Sequence, residues 1–549
     1  MLRAAPSSGL CVGTRLGTTV PSGATLDTQS CPRNRLPGPA AGYYRTVASF
    51  YVENFGCRAA QADGAALERQ FRERGLERAR AASQAQVVVL NTCTVTAAAD
   101  QDARAAIRRI RRQNPACQIL VTGCYAQRAP QEIAALPGVA QVIGNSHKHE
   151  LVNIVLPGRS TAHSQWPTAN GQQPIFVSDI FAHTELLAAP VFEAANERTR
   201  PNLKVQDGCN NRCSFCVIPF VRGQSRSLPL AQILREVRAL VDAGYREVVI
   251  SGINLGRWGR DLNKVSSRAK STACPGPGAP SLPRSLRQGW GLSLTFAGLI
   301  RGILDETSLE KLRISSVEPM DWSDELIRLV AESPRVAKHA HVPMQSASDR
   351  ILRLMHRKYR PWHYREKIEK IHAAMPTAAV GADVMVGFPG ETDADFDQTR
   401  AMIEALPFTY LHVFTYSARP GTPAASMRDQ VPVQVARERN RILRELAAKK
   451  HHAFLQSFVG ETIEAITLRS CVAGADLLSP AGNSRTPHPR WVPLGGIVPI
   501  LDQPSGVFTE CLTDNYLKLH LEGQHEPNCW VQASVERVEG GALVASQHP

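Results

Sequence analysis

No run of 18 or more apolar residues occurs in the 549-residue sequence, and the nearest approach, 291–304, is broken by Arg301. A helix needs about 20 such residues to cross a bilayer, so no membrane partner is expected. Cysteine is too sparse for a secreted disulfide scaffold, at 13 in the whole chain, and the count is odd. That usage predicts a reduced, cytoplasmic setting in which some thiols bind metal. No acidic residue precedes Asp27. The segment 1–45 is rich in Gly, Pro, Ser, Thr and Ala, lacks a signal-peptide apolar core, and reads as a disordered tail. Internal repeats are absent too.

What is present is ordinary globular composition, with 43% hydrophobic and 20% charged residues, and a formal net charge of +14. An excess of Lys and Arg favours an anionic partner, because it attracts phosphates over roughly a Debye length. Charge alone does not name that partner.

The chain divides into three ordered blocks. In the first, 47–156, strand-like runs at 49–54, 87–91, 118–122 and 139–143 alternate with helical runs at 61–74, 101–113 and 130–136. Alternation of this kind predicts a parallel sheet covered by helices, of flavodoxin type. A polar stretch, 157–195, reads as a linker. In the second block, 196–445, six strand-like runs (203–205, 247–250, 311–314, 338–342, 380–386, 410–414) are separated by helical ones. Six βα units predict an incomplete barrel, open on one side. The third block, 456–545, has alternating runs at 461–468, 516–521 and 529–537, as in a small β-barrel. Segments 263–289 and 470–503 are crowded with Pro, Gly and Ser or basic residues and read as disordered insertions.

The sharpest pattern is Gly208-Cys-Asn-Asn-Arg-Cys-Ser-Phe-Cys216, which spaces Cys209, Cys213 and Cys216 as C-x3-C-x2-C directly after the first barrel strand. Three thiolates on one loop can hold three corners of a four-iron cluster and leave the fourth iron free. Structural zinc is the rival, but it wants four ligands, and 201–226 has no His and no fourth Cys. A second set is spread further: Cys57, Cys93 and Cys124 each follow a strand of the first block. Singly, each reads as a small core residue. Together they fall at the carboxyl ends of parallel strands, the edge where open α/β sheets gather ligands, and predict a second cluster.

The C-x3-C-x2-C loop at the head of a βα barrel resembles the radical S-adenosylmethionine superfamily. With Asn91-Thr-Cys-Thr-Val-Thr96 upstream, the likeness narrows to its methylthiotransferases. Further matching strings are Lys204-Val-Gln-Asp-Gly-Cys209, Ser251-Gly-Ile-Asn-Leu-Gly256, Ile314-Ser-Ser-Val-Glu-Pro319 and Thr513-Asp-Asn-Tyr516. They point to the branch acting on C2 of N6-threonylcarbamoyladenosine at position 37 of tRNA. Isopentenyladenosine-37 and a ribosomal-protein aspartate are the alternatives within the family, and a non-catalytic iron-sulfur electron carrier or RNA-binding protein is the alternative outside it.

The resemblance implies two [4Fe-4S] clusters, on Cys57, Cys93 and Cys124 and on Cys209, Cys213 and Cys216. It also implies S-adenosylmethionine as radical source and methyl donor, and a C-terminal RNA-binding barrel of the TRAM type. Cofactor contacts are expected from Gly252, Asn254, Ser315, Glu318 and Gln345. The anticodon loop of tRNA and a reductant protein such as flavodoxin or ferredoxin are the implied partners, with no DNA. Arg104, Arg108, Arg109, Arg111 and Arg112 on one helix, and Tyr516 with Lys518, are candidate RNA contacts, each equally readable as solvated surface or strand packing.

Overall fold

The computed structural model describes residues 49–156, 174–183, 186, 200–263, 294–472 and 507–548, all within one compact unit, 47–549. The tail 1–45, most of the linker and nearly all of both expected insertions lie outside the described residues, the last three residues of strand Thr462–Val472 falling within the second.

The first block is a six-stranded sheet built from β1 (Ser49–Asn54), β2 (Glu77–Arg78), β3 (Val87–Thr92), β4 (Gln118–Gly123), β5 (Val139–Gly144) and β6 (Ile175–Phe176), in the order β2-β1-β3-β4-β5-β6, every pair parallel. Strand β3 is buried along its length, as a strand covered on both faces must be. Its odd side chains, Val87 and Val89, pack with Leu67 and Phe71. Its even ones, Val88 and Leu90, pack with Ala103, Ile107 and Ile110 on the other face. The covering helices are Arg58–Glu73 and Ala97–Gln113, and Thr96 caps the second by accepting from the Ala99 amide at 3.2 Å. β6 lies inside the stretch read as linker: two residues of it extend the sheet, and Ile180 just beyond is buried.

The second block holds β7 (Asn202–Asp207), β8 (Arg226–Ser227), β9 (Glu247–Gly252), β10 (Lys311–Ile314), β11 (His339–His341), β12 (Ala379–Val386) and β13 (Tyr410–Thr415). β7, β9 and β10 pair in parallel, as do β11, β12 and β13. Parallel bridges Leu312–Val336 and Ser316–His341 join the two sets. The result is an arc of six parallel strands, the open barrel expected, with β8 antiparallel on its first strand. The outward side chains, such as Leu203, Val205, Ile250, Leu312, Val380 and Val384, form the largest apolar core with the surrounding helices. The alternate side chains face the lumen and are polar: Lys204, Glu247, Arg313, His339, Asp383 and Tyr410.

The helix Val433–Gln456 leads to a closed barrel of β14 (Thr462–Val472), β15 (Val507–Thr513), β16 (Lys518–Glu522), β17 (Trp530–Glu539) and β18 (Ala542–Gln547), ordered β14-β15-β16-β18-β17. Two of these strands, β15 and β18, have no counterpart among the expected runs. The β15–β16 turn docks on the second block: Arg313 donates to the Asp514 and Thr513 carbonyls, and Asn515 donates to the Thr377 carbonyl at 2.9 Å.

Candidate active site: two cysteine triads above a polar lumen

In the β2-β1-β3 order the chain reverses direction between β1 and β3, and the crevice at such a switch is where open sheets bind ligands. Cys57 follows β1, Cys93 follows β3 and Cys124 follows β4. Gly56 (φ 92°) lies against Cys93, so that a Cβ there would sit 2.7 Å from its Sγ. Gly123 (φ 99°) turns the chain so tightly that a Cβ would overlap the Thr92 carbonyl. The three thiols share one electrostatic neighbourhood. Burial, reinforced by Cys57 and Cys124, pushes the Cys93 thiol up to about 12.

The second triad sits on the loop after β7. The Cys209 amide donates to the Gly223 carbonyl at 3.1 Å, and the Cys216 amide to the Cys213 carbonyl at 3.1 Å. Three donors point at its sulfurs: the Asn211 amide (3.4 Å) and Asn254 Nδ2 (3.5 Å) at Cys209, and Arg357 Nη1 (3.4 Å) at Cys213. Burial and the neighbouring Cys213 and Cys209 push the Cys216 thiol up to about 12. Thiols raised this far ionise only when a metal displaces the proton.

The chemistry of the donor sets tests which metal fits. Tetrahedral zinc, with Zn–S of about 2.3 Å, holds its sulfurs roughly 3.8 Å apart. Among the described residues, the one set of three ligand atoms within 4.8 Å of one another is His341, Asp383 and His412, and neither cysteine triad closes that far.

The two triads adjoin. Cys124 packs with Val217, Ile218 and Val221, the helix that follows Cys216. Asn145 Nδ2 lies 3.6 Å from Cys124 Sγ and donates to the Val221 carbonyl at 2.7 Å. Beneath them is a dry charge network: Lys148 pairs with Asp63 at 3.0 Å, Arg222 with Asp63 at 3.1 Å and Asp207 at 3.0 Å, and Lys204 with both carboxylates. Burial alone raises the Asp63 carboxyl, but Lys148, Lys204 and Arg222 outweigh it and hold it at about 2. Arg222 also feels Cys124 and Cys57, so its guanidinium faces the first triad as Arg357 faces the second. Sequence reading missed Asp63, Lys148 and Arg222. The available signals were Asp63 on the buried face of its helix and its partner Lys204 between the apolar Leu203 and Val205 of its strand.

The expected cofactor contacts stand at the carboxyl ends of the barrel strands. Gly252 ends β9, and a Cβ there would lie 3.0 Å from the Gln206 side chain. Asn254 has its Oδ1 buried without a partner, as has Gln345 its Oε1 (φ 64°) and Ser251 its Oγ. Ser315 follows β10, and Glu318 is ion-paired to Arg357. Buried polar atoms without partners call for a ligand.

Tyr516 takes the strand-packing alternative within the chain. It is 7% exposed, its hydroxyl accepts from Arg58 at 2.9 Å and its ring lies 4.7 Å from that of His339, because the β15–β16 turn plugs the floor of the lumen. Lys518 is exposed. Within the arginine run, Arg109 pairs with Glu53 at 2.6 Å and Arg104 donates to the Tyr125 hydroxyl at 2.6 Å, while Arg108, Arg111 and Arg112 are exposed. No described helix is long and apolar enough to cross a membrane.

Residues 49–144 match a family described as Uncharacterized protein family UPF0004, and residues 203–403 match the Radical SAM superfamily. The chain is 36% identical over 423 residues to the threonylcarbamoyladenosine tRNA methylthiotransferase MtaB of Bacillus subtilis (strain 168), covering 76% of this chain and 85% of that one. It is 35% identical to the MtaB of Aquifex aeolicus (strain VF5), over 76% of this chain and 92% of that one. It is also 31% identical to the tRNA-2-methylthio-N(6)-dimethylallyladenosine synthase of Erythrobacter litoralis (strain HTCC2594), over 77% and 87%.

Proposed function

This chain belongs to the tRNA methylthiotransferases of the radical S-adenosylmethionine superfamily, and on that footing we propose that it attaches a methylthio group to C2 of N6-threonylcarbamoyladenosine at position 37 of tRNA. In this reading it uses two [4Fe-4S] clusters and two molecules of S-adenosylmethionine, one cleaved for its radical and one giving its methyl. The observation that carries the reading is the packing of Cys124, from one three-cysteine set, against Val217, Ile218 and Val221, which follow directly after Cys216 of the other. Cys209, Cys213 and Cys216 would hold the cluster that supplies the electron for S-adenosylmethionine cleavage, and Cys57, Cys93 and Cys124 would hold a second that supplies the transferred sulfur.

When bound, the clusters supply the reducing electron and the sulfur. The chain's own residues do the rest. Arg357 and Asn254 direct donors at the sulfurs of the radical triad, which favours the anionic state of a cluster held there. Ser251, Asn254 and Gln345 present unpaired polar atoms at the strand ends to orient the polar groups of S-adenosylmethionine. The docked C-terminal turn closes the lumen floor, so that substrate enters from the cluster side and water is kept from the reacting carbon. The anticodon loop then approaches the mouth, and a small flavodoxin or ferredoxin supplies the reductant.

Nucleoside mass spectrometry of tRNA from a deletion strain tests the assignment. Loss of 2-methylthio-N6-threonylcarbamoyladenosine with accumulation of its unthiolated precursor is expected. Loss of the isopentenyl derivative instead, or no change in tRNA, rejects it.

A further inference from the structure

The lumen beneath the two triads carries more unspent polarity than a methylthiotransferase needs for an adenine ring alone. His341 Nε2 lies 3.3 Å from Asp383 Oδ1. Burial would raise the Asp383 carboxyl, but His341 and His412 hold it below its ordinary value, so it is an ionised acceptor. Burial, with His341 alongside, lowers His412 to about 4, so at neutral pH that ring is an uncharged donor and acceptor. The rings of His341 and His412 meet edge to face at 5.4 Å, and the Tyr410 ring stacks against His341 at 5.9 Å.

Arg58 supplies the charge. It follows Cys57 directly, so its backbone is fixed to the first triad, and its guanidinium is held by the Tyr516 hydroxyl at 2.9 Å. Nearby, Arg200 and Arg313 share Glu247. Among the described residues Arg58 forms no ion pair, although its charge is felt by Tyr410 and His412. The ring of Tyr516, whose hydroxyl holds this cation, lies 6.5 Å from that of Tyr410, which in turn lies 5.4 Å from His412 and 5.9 Å from His341. A cation without a counter-ion along one wall with a carboxylate and two imidazoles suits a ligand that carries a carboxylate together with hydroxyl or N–H groups.

We propose that Arg58, His341, Asp383 and His412 form the subsite for the N6 substituent of the target adenosine, with Arg58 binding a carboxylate and the other three its hydroxyl and N–H groups. The inference rests on the methylthiotransferase reading and adds to it the residues that select between two adenosines. A threonylcarbamoyl group has the carboxylate, hydroxyl and N–H groups this lumen would pair. A dimethylallyl group is hydrocarbon and would leave each buried polar atom unpaired. Sites built to hydrogen-bond a substituent reject analogues lacking it strongly, whereas apolar pockets discriminate weakly.

The test uses cluster-loaded full-length protein and one anticodon stem-loop RNA made in two forms, with N6-threonylcarbamoyladenosine or N6-dimethylallyladenosine at position 37. Methylthiolation is followed by mass spectrometry and RNA binding by fluorescence anisotropy. The expected result is a preference of about 100-fold or more in kcat/KM for the threonylcarbamoyl RNA. Arg58→Met is expected to raise KM and Kd for that RNA about tenfold with little change in Kd for the dimethylallyl RNA. His412→Phe, which leaves the floor contact of Arg58 intact, shifts the preference the same way. Equal use of both RNAs, or equal weakening of both by the variants, overturns the subsite. So does stoichiometric, tight uptake of zinc by wild type that His412→Phe abolishes, since the His341–Asp383–His412 group would then be a metal site. If neither RNA is methylthiolated, the parent reading fails, while the binding comparison still decides the subsite.

Discussion

Single residues divide the work of the two triads. In the proposed reading Cys213→Ala would remove one of three ligands of the radical cluster, and it is expected to abolish 5′-deoxyadenosine formation from S-adenosylmethionine under reduction. Cys93→Ala is expected to spare that cleavage and stop sulfur insertion. Liquid chromatography of both reactions decides, and equal loss in both variants contradicts separate clusters. His412 predicts a pH effect of definite sign. Its folded value, about 4, lies below its unfolded one near 6.5, so the unfolded chain binds the proton more readily. Stability therefore falls as pH drops through 6.5 toward 4, by up to about 3 kcal/mol from this ring. His412→Gln is expected to flatten urea midpoints across that window, and an unchanged slope contradicts the assignment. The six cysteines were legible because their spacing and their places after strands are local facts. Arg222 and Asp63 were not, because nothing in their own segments says that they meet across 159 positions.

Among the elements, most strands were readable from runs of Val, Leu and Ile, and their observed bounds lie within a few residues of those expected. β6 was hidden because two residues cannot show a period, and it exists only through pairing with β5. β15 and β18 were missed since a closed five-stranded barrel leaves short, mixed runs whose partners are distant in sequence. The β12–β13 pair shows how tightly the lumen wall is built. Gly381 lies opposite Tyr410, whose ring occupies the space a Cβ would need. Gly381→Ala is expected to displace that ring and lower stability by about 1–3 kcal/mol, read as a lower thermal midpoint. An unchanged midpoint would mean that the ring moves freely.

Across the whole molecule, buried charge pairs link the three blocks, beside the apolar contact of Cys124 with Val217, Ile218 and Val221. Asp63 ties the first block to Lys204 and Arg222 of the second, and Asp100 pairs with Arg128 and with Arg419 beyond β13. Lys311 reaches Glu464 of the C-terminal barrel at 2.8 Å. Such pairs fix the mutual placement of the blocks and hence the approach of the two triads. Arg222→Met leaves Asp63 and Asp207 paired with Lys148 and Lys204 but removes the guanidinium that joins them. It is expected to cost about 1.5–3 kcal/mol, visible as a lowered denaturation midpoint and faster proteolysis between the first two blocks. If it instead matches wild type, the network does not join them. The central claim, that each triad grips its own four-iron cluster, is tested most directly by iron and acid-labile sulfide analysis of anaerobically prepared protein. About eight irons and eight sulfides per chain are predicted, falling to about four when Cys57, Cys93 and Cys124 are all replaced by Ala. Zinc in place of iron, or four irons in both proteins, would contradict it.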